Sequence, residues 1–194
     1  MRFGLPFPSP IRRTDRAFGQ PDGAAPEDPL LRLAWQALWE LVEEGEPMLL
    51  FDALPRRSPP QACFVSLKKS GRLRGCIGTL TPTQTSLEAE IVANTVAAGR
   101  RDPRFPPVQR HEMDRIAISL DLLSIPEPVT SPAELDPKRF GVIVRSGNRA
   151  GVLLPDLPGV DSAARQIAIC RDKADIAPDA PIDLQRFTVV RIGG

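Results

Sequence analysis

Cys76 is the residue in this chain whose neighbours best equip it for chemistry. It lies in LRGCIG, Leu73 to Gly78, bracketed by Gly75 and Gly78. Glycine inside a strand marks a bulge or a place where a ligand or another segment comes close to the backbone. A thiol at such a place could act as a nucleophile or covalent carrier. Arg74 is a near neighbour, and a cation favours the thiolate if it turns towards the sulfur. Downstream, RDPRFPPV carries Asp102 and Arg104. Pro103 fixes an extended backbone at Asp102, and Asp102 and Arg104 are expected to form an ion pair or to hold backbone carbonyls, with Phe105 plugging the core. Arg104 is also a candidate anion clamp, because a planar guanidinium matches carboxylate or phosphate. The bland alternative for Cys76 is a small buried thiol in a glycine-spaced strand, which spacing alone favours.

No second catalytic group is legible beside it. The only histidine, His111, sits in the polar segment 109–112 and is expected at the surface. Cys63, Cys76 and Cys170 lack paired metal spacing, and a zinc site needs about four ligands, so neither metal nor cofactor is expected.

The elements that must position these residues begin with a hairpin. Cys63 to Leu67 reads as a strand, Ser70-Gly71 as a two-residue turn and Leu73 to Leu80 as the returning strand. Counting inward from the turn puts Lys69 opposite Arg72, Ser66 opposite Gly75 and Val65 opposite Cys76. Cys76 would then share a face with Val65 and, diagonally, Cys63, at a separation too long for a resting disulfide. Lys68, Lys69, Arg72 and Arg74 make the tip positive.

Before the hairpin, Asp28-Pro29 opens a helix whose Leu30, Leu33, Ala34, Ala37, Leu38 and Leu41 recur at helical spacing, with Gly45 and Pro47 ending it. Trp35 and Trp39 widen its apolar face; core packing outweighs cofactor stacking for both. Residues 55–60 form a basic, proline-rich loop. After the hairpin, Thr85 to Glu88 has capping-box spacing before a helix to about Ala98, stopped by Gly99. Ile116 to Ile125 alternates as a half-buried strand, and Ser131 to Glu134 repeats the capping-box spacing. A second hairpin pairs Phe140–Arg145 with Arg149–Leu154. Asp161 caps a helix with Cys170 on its apolar stripe, and Arg186 to Arg191 reads as a final strand.

The 194 residues carry 25 Lys+Arg against 24 Asp+Glu, so no global field favours nucleic acid or membrane. The basic tip alone supports nucleic-acid binding, and few aromatics are present for stacking. No apolar run reaches the roughly 20 residues of a membrane span, and the start MRFGLPFPSPIRR lacks a secretory apolar region, so a cytoplasmic protein is expected. Residues 1–26 read as a proline-rich arm without regular structure.

CFVSLKKSGRLRGCIGTL, RDPRFPPV, ISLDLLSIPEPV, GVIVRSGNRAGVLLPDLPGVD and RFTVVR, in that order, resemble the AMMECR family, whose prokaryotic members are called AmmeMemoRadiSam system protein A. The match runs from about Leu30 to Arg191. It implies residues 27–194 as one domain of α+β fold: an antiparallel sheet flanked by helices, a smaller second subdomain, and Leu73 to Gly78 lining a cleft between them. It implies association with Memo-type and radical SAM proteins and supplies no reaction. The relatives' insertion before the Cys170 helix, and their Thr-Cys pair within it, are absent here. Two functions follow as expectations. One is an enzyme or enzyme subunit using Cys76 on a small anionic substrate held by Arg74, Gly75, Gly78, Asp102 and Arg104. The other is a binding or adaptor module whose cleft and basic tip dock those partners.

Overall fold

A computed structural model of the chain describes residues 26–45 and 58–194. The expected arm up to residue 25 and residues 55–57 of the basic loop lie outside them. The fold is α+β, built on two four-stranded antiparallel sheets. The first has the order β2-β1-β3-β8, from β1 (Cys63–Lys69), β2 (Arg72–Gly78), β3 (Ile116–Leu123) and β8 (Val189–Gly193). The second has the order β4-β7-β5-β6, from β4 (Glu127–Val129), β5 (Gly141–Ser146), β6 (Arg149–Leu153) and β7 (Asp183–Phe187).

Helix α1, Pro29–Glu44, starts where Asp28 accepts the Leu30 and Leu31 amides at 2.8 and 3.2 Å, and ends at Gly45 with φ 90°. Both ends were legible, since a carboxylate cap, proline at the first turn and a left-handed glycine are local signals. Its Trp35 and Leu38 are buried in the main core with Ile91 from α2 (Leu87–Arg100) and with Cys63, Val65, Leu67, Ile118 and Leu120 from one face of the first sheet. Two details of α2 differ from expectation. Ser86, not Thr85, caps it, accepting the Ala89 amide at 3.2 Å. Gly99 lies within the helix, where a side chain would meet Leu38 and Leu41, so it lets α1 and α2 close together instead of stopping the helix. Helix α3, Ala163–Lys173, is capped by Ser162, one residue past Asp161, and packs its buried Cys170 over β5 and β6.

The single strand expected at 186–191 is two strands in different sheets. The chain leaves the first sheet after Leu123 and re-enters it at Val189, so β4 to β7 form an insertion. The two crossings are tied together: the Ser124 amide donates to the Thr188 carbonyl at 3.0 Å, and the Thr188 amide donates to the Ser124 hydroxyl at 2.9 Å. Beside them the two sheets meet through Ala62, Leu123, Ile143 and Phe187, with Phe64, Val152 and Val189 packed around. That contact covers part of the first sheet's helix-free face, on which Asp121 of β3 is buried and paired with Arg191. No helix among the described residues is long and apolar enough to cross a membrane.

Candidate functional site

The hairpin turn forms as its two residues require: Ser70 and Gly71 have φ 49° and 78°, the left-handed pair that matches strand twist. Lys69 pairs with Arg72 and Lys68 with Leu73, but Leu67 then pairs with Gly75. Arg74 is the extra residue of a β-bulge, and every pairing beyond it slips by one. Cys76 therefore faces Ser66, not Val65, which corrects the register counted from the turn. A one-residue slip moves a side chain to the other face. Cys76 thus lies on the helix-free face with Phe64, Ser66 and Lys68, while Cys63, Val65 and Leu67 point into the core. The Ser66 hydroxyl donates to Cys76 Sγ at 3.3 Å, and the thiol is half-buried.

β2 is an edge strand, and the RDPRFPPV loop caps its edge at Cys76. The Cys76 amide donates to Asp102 Oδ2 at 2.9 Å, and Arg104 Nη2 donates to the Cys76 carbonyl at 3.1 Å. One carboxylate and one guanidinium therefore replace the backbone acceptor and donor of a missing strand. Asp102 is buried and also accepts the Arg104 amide at 3.1 Å, Nε at 2.9 Å and Nη2 at 2.7 Å. The Arg104 guanidinium, followed by the Cys76 and Arg104 amides, holds the Asp102 carboxyl far below the usual carboxylate range against the opposing effect of burial. The same pairing raises Arg104. The Arg104 side chain is 54% exposed, and its Nη1 has no partner among the described residues.

Phe105 does not plug the core. It is half-buried, with the Arg74 and Arg104 guanidinium carbons 6.0 and 5.6 Å from its ring centre, and Val108 takes the core position. Cations near a ring face gain electrostatically, so the ring is held by both guanidiniums rather than by the core.

Arg74 is placed differently from the expectation of a substrate contact. It is 8% exposed and its donors are engaged inside the protein: Nε and Nη2 on Glu112 at 3.0 and 2.8 Å, Nη1 on the Pro106 carbonyl at 2.9 Å and Nη2 on the Pro107 carbonyl at 3.3 Å. Glu112 also accepts Lys69 Nζ at 2.7 Å and the Gln109 amide at 3.0 Å. The Arg74 fork, then Lys69 and the Gln109 amide, bring its carboxyl down to about 2 against burial. This cluster fastens residues 106–112 to the bulge.

Gly75 and Gly78 also turn out to serve packing. A side chain on Gly75 would meet the Ala98 carbonyl of α2, and one on Gly78 would meet the Phe64 ring and the Cys63 carbonyl. Of the two roles glycine could have had here, close approach of another segment is the one observed. The loop following β2 is held by buried Glu90, which accepts the Thr79 hydroxyl at 2.6 Å and the Thr83 and Gln84 amides at 2.8 Å each.

Burial pushes the Cys63 thiol up to about 12 and the Cys170 thiol up to about 11, so both are inert side chains of the two cores. His111 is exposed in the 3-10 turn Arg110–Arg115. Ser66 and Glu112 were missed as members of the site. Gly75 signalled a bulge as one possibility but not its place at Arg74 or the slip that brings Ser66 to the sulfur, and Glu112 read only as part of a polar stretch.

A family model described as AMMECR1 matches residues 31–192. A protein of Thermotoga maritima is 43% identical over 169 residues, which cover 85% of this chain and 97% of that protein. One of Clostridium acetobutylicum is 40% identical over 171 residues, covering 85% of this chain and only 36% of that longer protein. The crystal structure of an uncharacterized protein, PH0010, from Pyrococcus horikoshii superposes with a TM-score of 0.73 at 29% identity, covering 84% of this chain and 88% of that one.

Proposed function

The chain belongs to the AMMECR1 family, and we propose that it is a cytoplasmic, cysteine-centred enzyme or enzyme subunit that acts on a small anionic substrate at the helix-free face of the first sheet. The observation that carries this reading is the set of groups converging on Cys76. Its sulfur is half-buried, receives the Ser66 hydroxyl, and lies beside an Arg104 whose Nη1 is uncommitted among the described residues. The Ser66 hydroxyl bond fixes the direction in which the sulfur points. Arg104 supplies the anion contact, Asp102 fixes Arg104 and the Cys76 backbone, and Cys76 supplies the nucleophile. In the step itself the thiol proton passes to solvent and the sulfur pair forms a bond to an electrophilic carbon. The displaced group leaves with its bonding pair. Arg74, Gly75 and Gly78 hold the site together and are not counted among the substrate contacts.

Iodoacetamide tests the reading near pH 7, because Cys63 and Cys170 are buried and Cys76→Ser supplies the blank. The expected result is labelling of Cys76 faster than a free cysteine peptide, slowed about three- to tenfold in Ser66→Ala by loss of one ordinary hydrogen bond. Labelling no faster than the free peptide would remove the claim of activation.

The partners that the family resemblance implies, Memo-type and radical SAM proteins, belong to the same proposal as docking subunits. Within the basic tip, Lys69 and Arg74 are engaged by Glu112, which leaves Lys68 and Arg72 to attract a partner. Co-purification from the native cell at moderate salt is the expected outcome, and a lone monomer on sizing would count against docking.

A further inference from the structure

The face that carries Cys76 holds a second cation. Lys68 follows Ser66 by two residues on β1, so it points to the same side, and among the described residues it makes no ion pair. Its side chain is folded along the sheet. A carbon built on Gly194 would lie 3.6 Å from the Ser119 Cβ and 3.9 Å from Lys68 Nζ, so ammonium and hydroxyl residue share one small neighbourhood. Ser66 pairs with Cys76 on one side and with Ser119 on the other, which makes Cys76, Ser66 and Ser119 one polar row across three strands. Asp121, two residues past Ser119 on β3, is already paired with Arg191 Nε at 2.6 Å and Nη2 at 3.3 Å. Arg104 stands at one end of the row, beyond β2, and Lys68 reaches the other end at β3. At roughly 4.8 Å per strand the two cations are about 12–15 Å apart.

We propose that this row binds an elongated ligand with an anionic group at each end, carboxylate or phosphate, one seated at Arg104 and the other at Lys68 beside Ser119. The middle of the ligand lies over Ser66 and Cys76. The inference rests on the reading of this face as an anion site and adds the length and double charge of the occupant. Apolar walls are nearby in Phe64 and Val152, while Ser66 and Cys76, the half-buried members of the row beside buried Ser119, offer hydroxyl and thiol, which suits a short polar chain between the two charges.

The test is protection of Cys76 from iodoacetamide by acetate, malonate, adipate and suberate, with hexane-1,6-diyl bisphosphate as the phosphate arm. Each variant is normalised to its own unprotected rate. Protection is expected to strengthen with chain length, with suberate effective at about a tenfold lower concentration than acetate, as one additional ion pair predicts. Lys68→Ala should bring suberate back to the acetate level, whereas Arg72→Ala, at the hairpin tip, should keep the length preference. A bisphosphate advantage over suberate would assign phosphate ends, and the converse carboxylate ends. Protection independent of length, or unchanged in Lys68→Ala, would overturn the inference. Slow unprotected labelling with a clear length preference would instead remove the nucleophile and leave the ligand.

Discussion

Replacement of Glu112 by alanine is expected to cost about 3–5 kcal/mol of folding stability, the largest loss of any single substitution at this site. Among the described residues Glu112 is the only carboxylate bonded to the buried Arg74 fork, and it also accepts Lys69 and the Gln109 amide. Alanine leaves a guanidinium at 8% exposure with two carbonyls and no counter-charge. Burying a charge and then removing its partner is far more costly than never having had the pair, so the double variant Arg74→Met, Glu112→Leu should recover most of the loss. Urea denaturation of the three proteins checks both statements. A loss below about 1 kcal/mol in Glu112→Ala would mean that water reaches Arg74 and that the clamp is not buried in solution.

Acid should act through the same group. The folded-state carboxyl titrates at about 2 and an unfolded glutamate near 4.3, so the unfolded chain binds the proton first. The stabilisation is complete above about pH 4.5 and is lost as the pH falls towards 2. Asp102 is displaced in the same direction and adds to the loss. Glu112→Gln should start less stable and lose less across that window. A variant whose stability falls as steeply as wild type would assign the acid sensitivity to other carboxylates.

Local signals were readable and long-range ones were not. The caps of α1, the Ser70-Gly71 turn and the second hairpin depend on a few adjacent residues, and the sequence states them outright. The Asp102–Arg104 pair was one of two readings open to this loop, and the structure holds both, since Arg104 also donates to the Cys76 carbonyl. The face of Cys76 was not. It depends on the bulge at Arg74, and that bulge exists because Arg74 finds Glu112 thirty-eight residues away. The same limit applies at Thr188. RFTVVR alternates as one strand, and only the second sheet, assembled from distant segments, decides that its two halves part company. Phe105 was misplaced for a related reason: an aromatic between prolines reads as core until the two guanidiniums near its ring are known.

Gly75 brings these strands of reasoning to a measurement. On the edge of a reactive strand, glycine could leave room for a ligand or for the protein itself, and the two possibilities differ in what an added methyl would do. The carbon of Gly75→Ala would sit 2.3 Å from the Ala98 carbonyl oxygen and 3.2 Å from its carbon, which are helix backbone and cannot rotate away. Either α2 lifts from β2 or the bulge shifts, and overpacking of this kind is expected to cost about 2–3 kcal/mol. Gly71→Ala is the control on the same hairpin: nothing lies within 4 Å of its missing carbon, and the strain of φ 78° alone should cost about 1 kcal/mol. Gly75→Ala should therefore unfold earlier in urea while the molecules that remain folded retain the iodoacetamide rate of Cys76 to the extent that the Ser66 contact survives. A Gly75→Ala protein of unchanged stability that loses dicarboxylate protection would reverse the assignment, making the position a place of ligand approach and the contact with α2 a loose one.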